Sequence, residues 1–233
     1  LEAQLIEREA ELLSTLTSPL SSSEILKISN LIAAINMNID RVHSFQDKIQ
    51  HYSHKLKWES VFKHRYNPTT DVLYCEFEDY QIPHNLEYWG DSPQTIINID
   101  NDIYLNSILN CISLGDIPML YGPFASGKSS VIEYLAFMFG RFYFQVQPFS
   151  NLSKLLIDQY LIGAAETGSF LFFRNINEME IEKIEYLFDK LHIINSHQVE
   201  KKNVIKYNKN DEIEIDLSTR FFMSRRIHCE IPA

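Results

Sequence analysis

The run Gly122-Pro123-Phe124-Ala125-Ser126-Gly127-Lys128-Ser129 constrains this chain more than any other stretch. It matches GxxxxGK[ST], with the apolar run Ile117 to Tyr121 before it and an amphipathic run from Lys128 to Phe139 after it. That order specifies a buried strand, a glycine-bearing loop and a helix. In such a loop the backbone N–H groups and the helix N-terminus cradle phosphate oxygens. Lys128 then reaches the β- and γ-phosphates, and the Ser129 hydroxyl ligates magnesium. The candidate phosphate-binding set is therefore Gly122, Pro123, Phe124, Ala125, Ser126, Gly127, Lys128, Ser129 and Ser130, with Ser129 as the candidate metal ligand.

The remainder of the chain has a rhythm that suits such a loop. Helix is expected from Ile103 to Leu114, strand from Phe142 to Val146, helix from Leu152 to Leu161, strand from Ser169 to Phe173, helix from Glu178 to Ile194 and a last strand from Arg220 to Ser224. A hairpin is expected around Tyr207-Asn208-Lys209-Asn210. Strands alternating with helices imply a parallel sheet with helices on both faces. Residues 1–56 read as helices instead, broken at Ser18-Pro19, and Ser21 with Glu24 has the spacing of a capping box. Between these regions Asn67-Pro68-Thr69-Thr70 reads as a turn, Asp71 to Phe77 as a strand, and Ile82-Pro83-His84-Asn85 as an irregular connection.

Composition narrows the function classes. Hydrophobic residues make up 45% of the 233, enough to bury a core. The net charge of -10 argues against general binding to a nucleic-acid backbone, which requires a basic face. No apolar run approaches the length of a membrane span. Cys75, Cys111 and Cys229 are odd in number and lack a CxxC pair, which fits a reducing compartment and no zinc site. His51 and His54 share a helical stretch without a third ligand nearby, so packing or surface roles are expected of them. Both ends read as cut from a longer chain.

Hydrolysis requires more than the loop. An acid at the end of a second apolar strand holds the magnesium shell, and an adjacent base aligns the attacking water. Here the strand ending at Phe173 is followed by Arg174 and Asn175, a cation and an amide that takes no proton. Glu178 lies further on and reads as a first-turn carboxylate favoured by the helix dipole.

At this point the order of features resembles the dynein heavy chain family. Leu86-Glu87-Tyr88-Trp89-Gly90-Asp91 resembles the family's "YEYLGN" segment upstream of the first AAA+ module, and Ile96 to Tyr104 resembles the following "LVITPLTDRCY". Thr167-Gly168-Ser169-Phe170 is similar to the end of "GLLSCGAWACF", and Phe173-Arg174-Asn175-Ile176-Asn177-Glu178 falls on "FDEFNR", with both acids absent. Phe221 to Arg226 falls on the sensor-1 segment "FITMNP", with Arg225 at the sensor Asn. Upstream, Arg41-Val42-His43, Trp58 and His64-Arg65-Tyr66 resemble the end of the dynein linker. The resemblance covers roughly residues 24–233.

The resemblance implies an α/β fold, the AAA+ P-loop NTPase large subdomain, preceded by a helical linker segment. It divides the chain into residues 1–82, the C-terminal part of a linker with a short strand region, and residues 83–233, the AAA+ module. It places adenine against Ile96, Ile97 and Ile99, with ATP or ADP bound and magnesium doubtful. Partners implied are other AAA+ modules of the same full-length chain and dynein-type or axonemal subunits associated with microtubules, with no nucleic acid and no membrane. The setting implied is the cytoskeleton of the cytoplasm or a cilium axoneme. The leading expectation is a structural or regulatory dynein-like component that binds nucleotide without hydrolysing it efficiently. A second is an active ATPase using Glu178 or a carboxylate from a neighbouring module, and a third is a small-molecule kinase, for which no acceptor site or lid is evident.

Overall fold

The computed structural model describes residues 2–52, 62–89, 99–147, 152–207 and 212–227. The chain forms two compact units, Leu1–Val61 and Phe62–Ala233. The first is a helical hairpin of α1 (Glu2–Thr15) and α2 (Ser22–Tyr52). Its turn carries the expected capping box. The Glu24 carboxylate accepts from the Ser21 N–H at 2.9 Å and the Ser21 hydroxyl at 2.6 Å, and the Glu24 N–H is donated back to Ser21 Oγ at 3.4 Å. At the far end His43 and Gln46 both hold the Glu2 carboxylate, which closes the antiparallel pair.

The second unit opens with an antiparallel meander of β1 (Lys63–Asn67), β2 (Val72–Phe77) and β3 (Tyr80–Pro83). The turn and central strand agree with the sequence, but Ile82-Pro83 extends a strand rather than an irregular connection. Pro83 sits at the end of an outer strand opposite Tyr74, where its missing N–H breaks no interior ladder. The meander packs with the α/β layers. The His64 imidazole and the Cys75 thiol both meet the carbonyl of Met138, and Phe62 stacks edge-on against Phe139 at 5.1 Å. The boundary between the compact units falls at 61/62, just before the meander.

The α/β part follows as α3 (Ile99–Ser113), β4 (Met119–Gly122), α4 (Lys128–Phe139), β5 (Tyr143–Val146), α5 (Lys154–Thr167), β6 (Phe170–Phe173), a 3-10 turn (Ile176–Glu178), α6 (Ile181–Val199), the hairpin β7 (Val204–Lys206) and β8 (Glu212–Glu214), and β9 (Arg220–Arg226). The tip of that hairpin, like Trp58, His54 and Cys229, lies outside the described residues. Among the described residues four strands form one parallel sheet in the order β4-β9-β6-β5. The last strand in sequence is thus inserted between the P-loop strand and β6.

The two inner strands are covered on both faces: all four residues of β6 are buried, as are Phe221 to Ser224 of β9. Leu171, Phe173, Phe221 and Met223 face α5 and α6 and pack with Ile157, Leu161, Leu187, Leu191 and Ile194. Phe170 and Phe222 face the other way, in a ring stack with Phe139 of α4. Asp158 of α5 accepts from the Tyr186 and Tyr207 hydroxyls, each at 2.6 Å, and so ties α5 to α6 and to the hairpin. This architecture is the α/β large-subdomain type expected of an AAA+ P-loop module, with a helical segment before it.

Candidate functional site

The P-loop occupies the C-terminal edge of the parallel sheet, where ligands of open α/β sheets bind. Gly122 ends β4 and is buried; a Cβ there would stand 2.8 Å from Ser126 Oγ. Gly127 caps α4 in the left-handed region at φ 78°, which costs a glycine nothing. Ala125 takes φ 60°, a conformation uncommon for a residue with a Cβ and retained where the surroundings hold it. The ammonium of Lys128 lies folded into the loop, donating to Gly122 O at 3.0 Å, Pro123 O at 2.6 Å and Ser126 Oγ at 3.0 Å. Ser129 is half-buried beside it, whereas Phe124 and Ser130 are exposed.

Strand register decides which further side chains join this loop. Gly122 pairs with Arg226, Leu120 with Ser224, and Phe172 with Phe222. Because side chains alternate with period two, Phe222, Ser224 and Arg226 share the α4 face with Phe170, Phe172 and Arg174. Arg225 points to the opposite face and is exposed. Arg226, not the Arg225 expected at the sensor position, therefore turns toward the P-loop. Its guanidinium lies 5.4 Å from the centre of the Phe124 ring, and its N–H is donated to Asn177 Oδ1 at 3.0 Å.

Arg174 leaves β6 on the same face. Its N–H bonds Val146 O at 2.9 Å, which fixes the strand end. Asn175 follows at φ 50°, a left-handed position that asparagine tolerates, and its N–H is donated to the buried hydroxyl of Ser224 at 3.0 Å. Ser224 and Asn177 thus clamp the segment after β6 onto β9. Neither was among the sequence candidates. The strand alternation of β9 marks Ser224 as an inward polar residue, but its partner lies 49 positions away.

Lys128 senses both arginines. Burial pushes the Lys128 ammonium below its ordinary value, and the charges of Arg174 and Arg226 push it further. Glu178 is exposed at the end of the 3-10 turn, outside the first turn of α6, because α6 begins only at Ile181. Ile99 begins α3, while Ile96 and Ile97 lie outside the described residues. A cavity of about 530 Å³ lies at the opposite, N-terminal edge of the sheet, lined by Glu166, Glu214 and Asp216 among others. Its carboxylates would repel phosphate, so volume alone is a poor guide to the site here.

A loop of this shape with three converging cations suits a polyanion. The donor set suits a divalent metal poorly. Magnesium at nucleotide sites takes protein carboxylates along with phosphate oxygens and water. Here the strand end carries a guanidinium, which has no lone pair to offer, and Ser129 supplies one neutral hydroxyl. Among the described residues no group of three or more His, Cys, Asp or Glu side chains gathers in a way that could hold a metal. No helix among them is long and apolar enough to cross a membrane.

Fold and loop together define a P-loop module of the AAA+ large-subdomain class. Comparison with known proteins ties it by sequence to dynein heavy chains. It is 20% identical over 202 residues to cytoplasmic dynein 2 heavy chain 1 of Rattus norvegicus, covering 85% of this chain. Against the same-named protein of Mus musculus it is 21% identical, again over 202 residues and 85% of the chain. It is 24% identical over 138 residues, 58% of this chain, to dynein axonemal heavy chain 17 of Mus musculus. The matches cover 5%, 5% and 3% of those relatives' lengths. No protein-family model matches the chain.

Proposed function

We propose that this chain is a nucleotide-binding module of a dynein-heavy-chain-like protein that holds ATP or ADP as a structural or regulatory ligand and does not turn it over at a rate useful to a motor. The observation that carries the reading is the end of β6, where Arg174 and Asn175 stand on the edge beside an intact GxxxxGKS loop. Glycines, Lys128 and the N-terminus of α4 retain what phosphate binding needs. What hydrolysis needs is a carboxylate to hold the metal shell and a base to align water, and neither side chain after Phe173 supplies one. The exposure of Glu178 at the end of its 3-10 turn argues against its substituting. A ligand bound by the folded state alone stabilises it by mass action without turnover.

By the same reading residues 1–82 are the C-terminal part of a dynein-type linker and residues 83–233 the large subdomain of the first AAA+ module. Adenine rests against Ile96, Ile97 and Ile99, partners are neighbouring AAA+ modules and dynein-type subunits, and the setting is a microtubule-based assembly, an axoneme in particular. The names of the relatives support this setting. The test is equilibrium ATP and ADP binding measured beside phosphate release. Binding without release above background is the expected result, and Lys128-dependent phosphate release by the unmodified chain would overturn the reading.

A further inference from the structure

We propose that the P-loop site takes its nucleoside triphosphate without a divalent metal, Arg174 and Arg226 bringing the positive charge that magnesium brings to such sites. This rests on nucleotide binding at the loop and deepens it by naming the ionic form of the ligand.

The argument begins with strand register. The pairing of Gly122 with Arg226 and of Phe172 with Phe222 sets Arg174 and Arg226 on the α4 face, at the edge where Lys128 begins α4. Both arginine-bearing segments are anchored within the fold. The Asn175 N–H is held by the Ser224 hydroxyl at 3.0 Å, and the Arg226 N–H by Asn177 Oδ1 at 3.0 Å. The Phe124 ring lies 5.4 Å from the Arg226 guanidinium, so loop and cation also touch. Guanidinium groups give several N–H donors in a planar fork that matches phosphate oxygens, and they stay charged at any physiological pH.

Like charge then decides between the two ionic forms. A triphosphate arriving alone meets an ammonium whose charge is disfavoured first by burial and then by the nearby charges of Arg174 and Arg226. The anion favours that charge. A triphosphate arriving with magnesium brings a dication to the same corner, where it meets a guanidinium in place of a carboxylate and gains only the Ser129 hydroxyl as a protein oxygen.

The experiment titrates the chain with ATP by calorimetry, once with excess EDTA and once with excess magnesium. Binding in EDTA is expected to be at least as tight as in magnesium. Arg174→Gln should weaken the EDTA affinity by roughly tenfold, the loss of one charge-assisted phosphate contact. Arg174→Lys should retain the metal-free binding. Binding seen only with magnesium would overturn the inference and leave nucleotide binding standing. Binding in neither condition would overturn both. An Arg174→Gln chain that keeps its thermal midpoint and its full EDTA affinity would show that Arg174 does not meet the phosphates, and would also overturn the inference.

Discussion

Replacing Lys128 by alanine isolates the one P-loop side chain that carries a full charge. In the folded chain its ammonium spends its protons on Gly122 O, Pro123 O and Ser126 Oγ, at 2.6–3.0 Å. Phosphate binding exchanges some of those neutral acceptors for an anion, so the net gain is that of a charge-assisted hydrogen bond, about 1.5–3 kcal/mol. The expected loss of affinity for ATP is therefore about 10- to 150-fold. Arg174 and Arg226 remain, which keeps binding measurable in a sensitive assay. The fold should tolerate the change. Pro123 and Ser126 are exposed, so water can replace the lost ammonium, and relief of repulsion from the two arginines offsets part of the loss. A thermal midpoint within a few degrees of the parent is expected, since 1 kcal/mol moves a chain of this size by about 2–4 °C. Calorimetric titration of parent and variant, with a melting curve for each, checks both halves. Equal affinities would mean that the ammonium never meets phosphate and that the loop is a relic.

Four further outcomes follow from the same geometry. Arg174→Asp combined with Asn175→Glu places two carboxylates at the end of β6 and, on the proposed reading, should give magnesium-dependent phosphate release in an assembled ring; a double variant that binds ATP and releases no phosphate would show that the block lies elsewhere. Burial, with help from His64 and Arg141, holds the His84 imidazole down at about 4, and its Nδ1 accepts the Leu86 N–H, so the neutral ring is the native form. The unfolded chain takes up a proton there near 6.5 and the folded chain only near 4, so stability is full above about pH 6.5 and falls as pH drops toward 4; melting across that window should be less steeply pH-dependent in His84→Gln. Gly168 sits at φ 70° and a Cβ there would run into the Asp216 carboxylate, so Gly168→Ala should destabilise by about 1–3 kcal/mol, read as a lower thermal midpoint, and an unchanged midpoint would refute that close approach. Burial pushes the Cys75 thiol up to about 12, so alkylation of Cys75 in the native chain should be slow and should track unfolding, which mass spectrometry of a denaturant series would show.

The parts of this protein that were legible in sequence are those whose causes are local. The GxxxxGKS loop is specified by backbone demands within eight positions: a buried Gly122 too close to Ser126 for a Cβ, a left-handed Gly127, and a lysine opening the helix. The capping box at Ser21 and Glu24, the β2 strand and the apolar run of β6 are likewise readable, because neighbours in sequence make the contacts. The meander was harder. β1 reads Lys-His-Arg-Tyr-Asn, an edge strand with no apolar alternation, and only its pairing with β2 makes it a strand. The site divides in the same way. That β6 ends on Arg174 and Asn175 was plain from the letters. That β9 lies between β4 and β6, that Arg226 rather than Arg225 faces Lys128, and that Ser224 holds the Asn175 N–H depend on the register of strands roughly 50 to 100 residues apart. A shift of one residue in that register would exchange the two arginines between faces, and nothing local in Arg225-Arg226 distinguishes them. Sequence determined that a GxxxxGKS loop precedes a strand that ends without carboxylates; the pairing of distant strands decided which cations lie beside that loop.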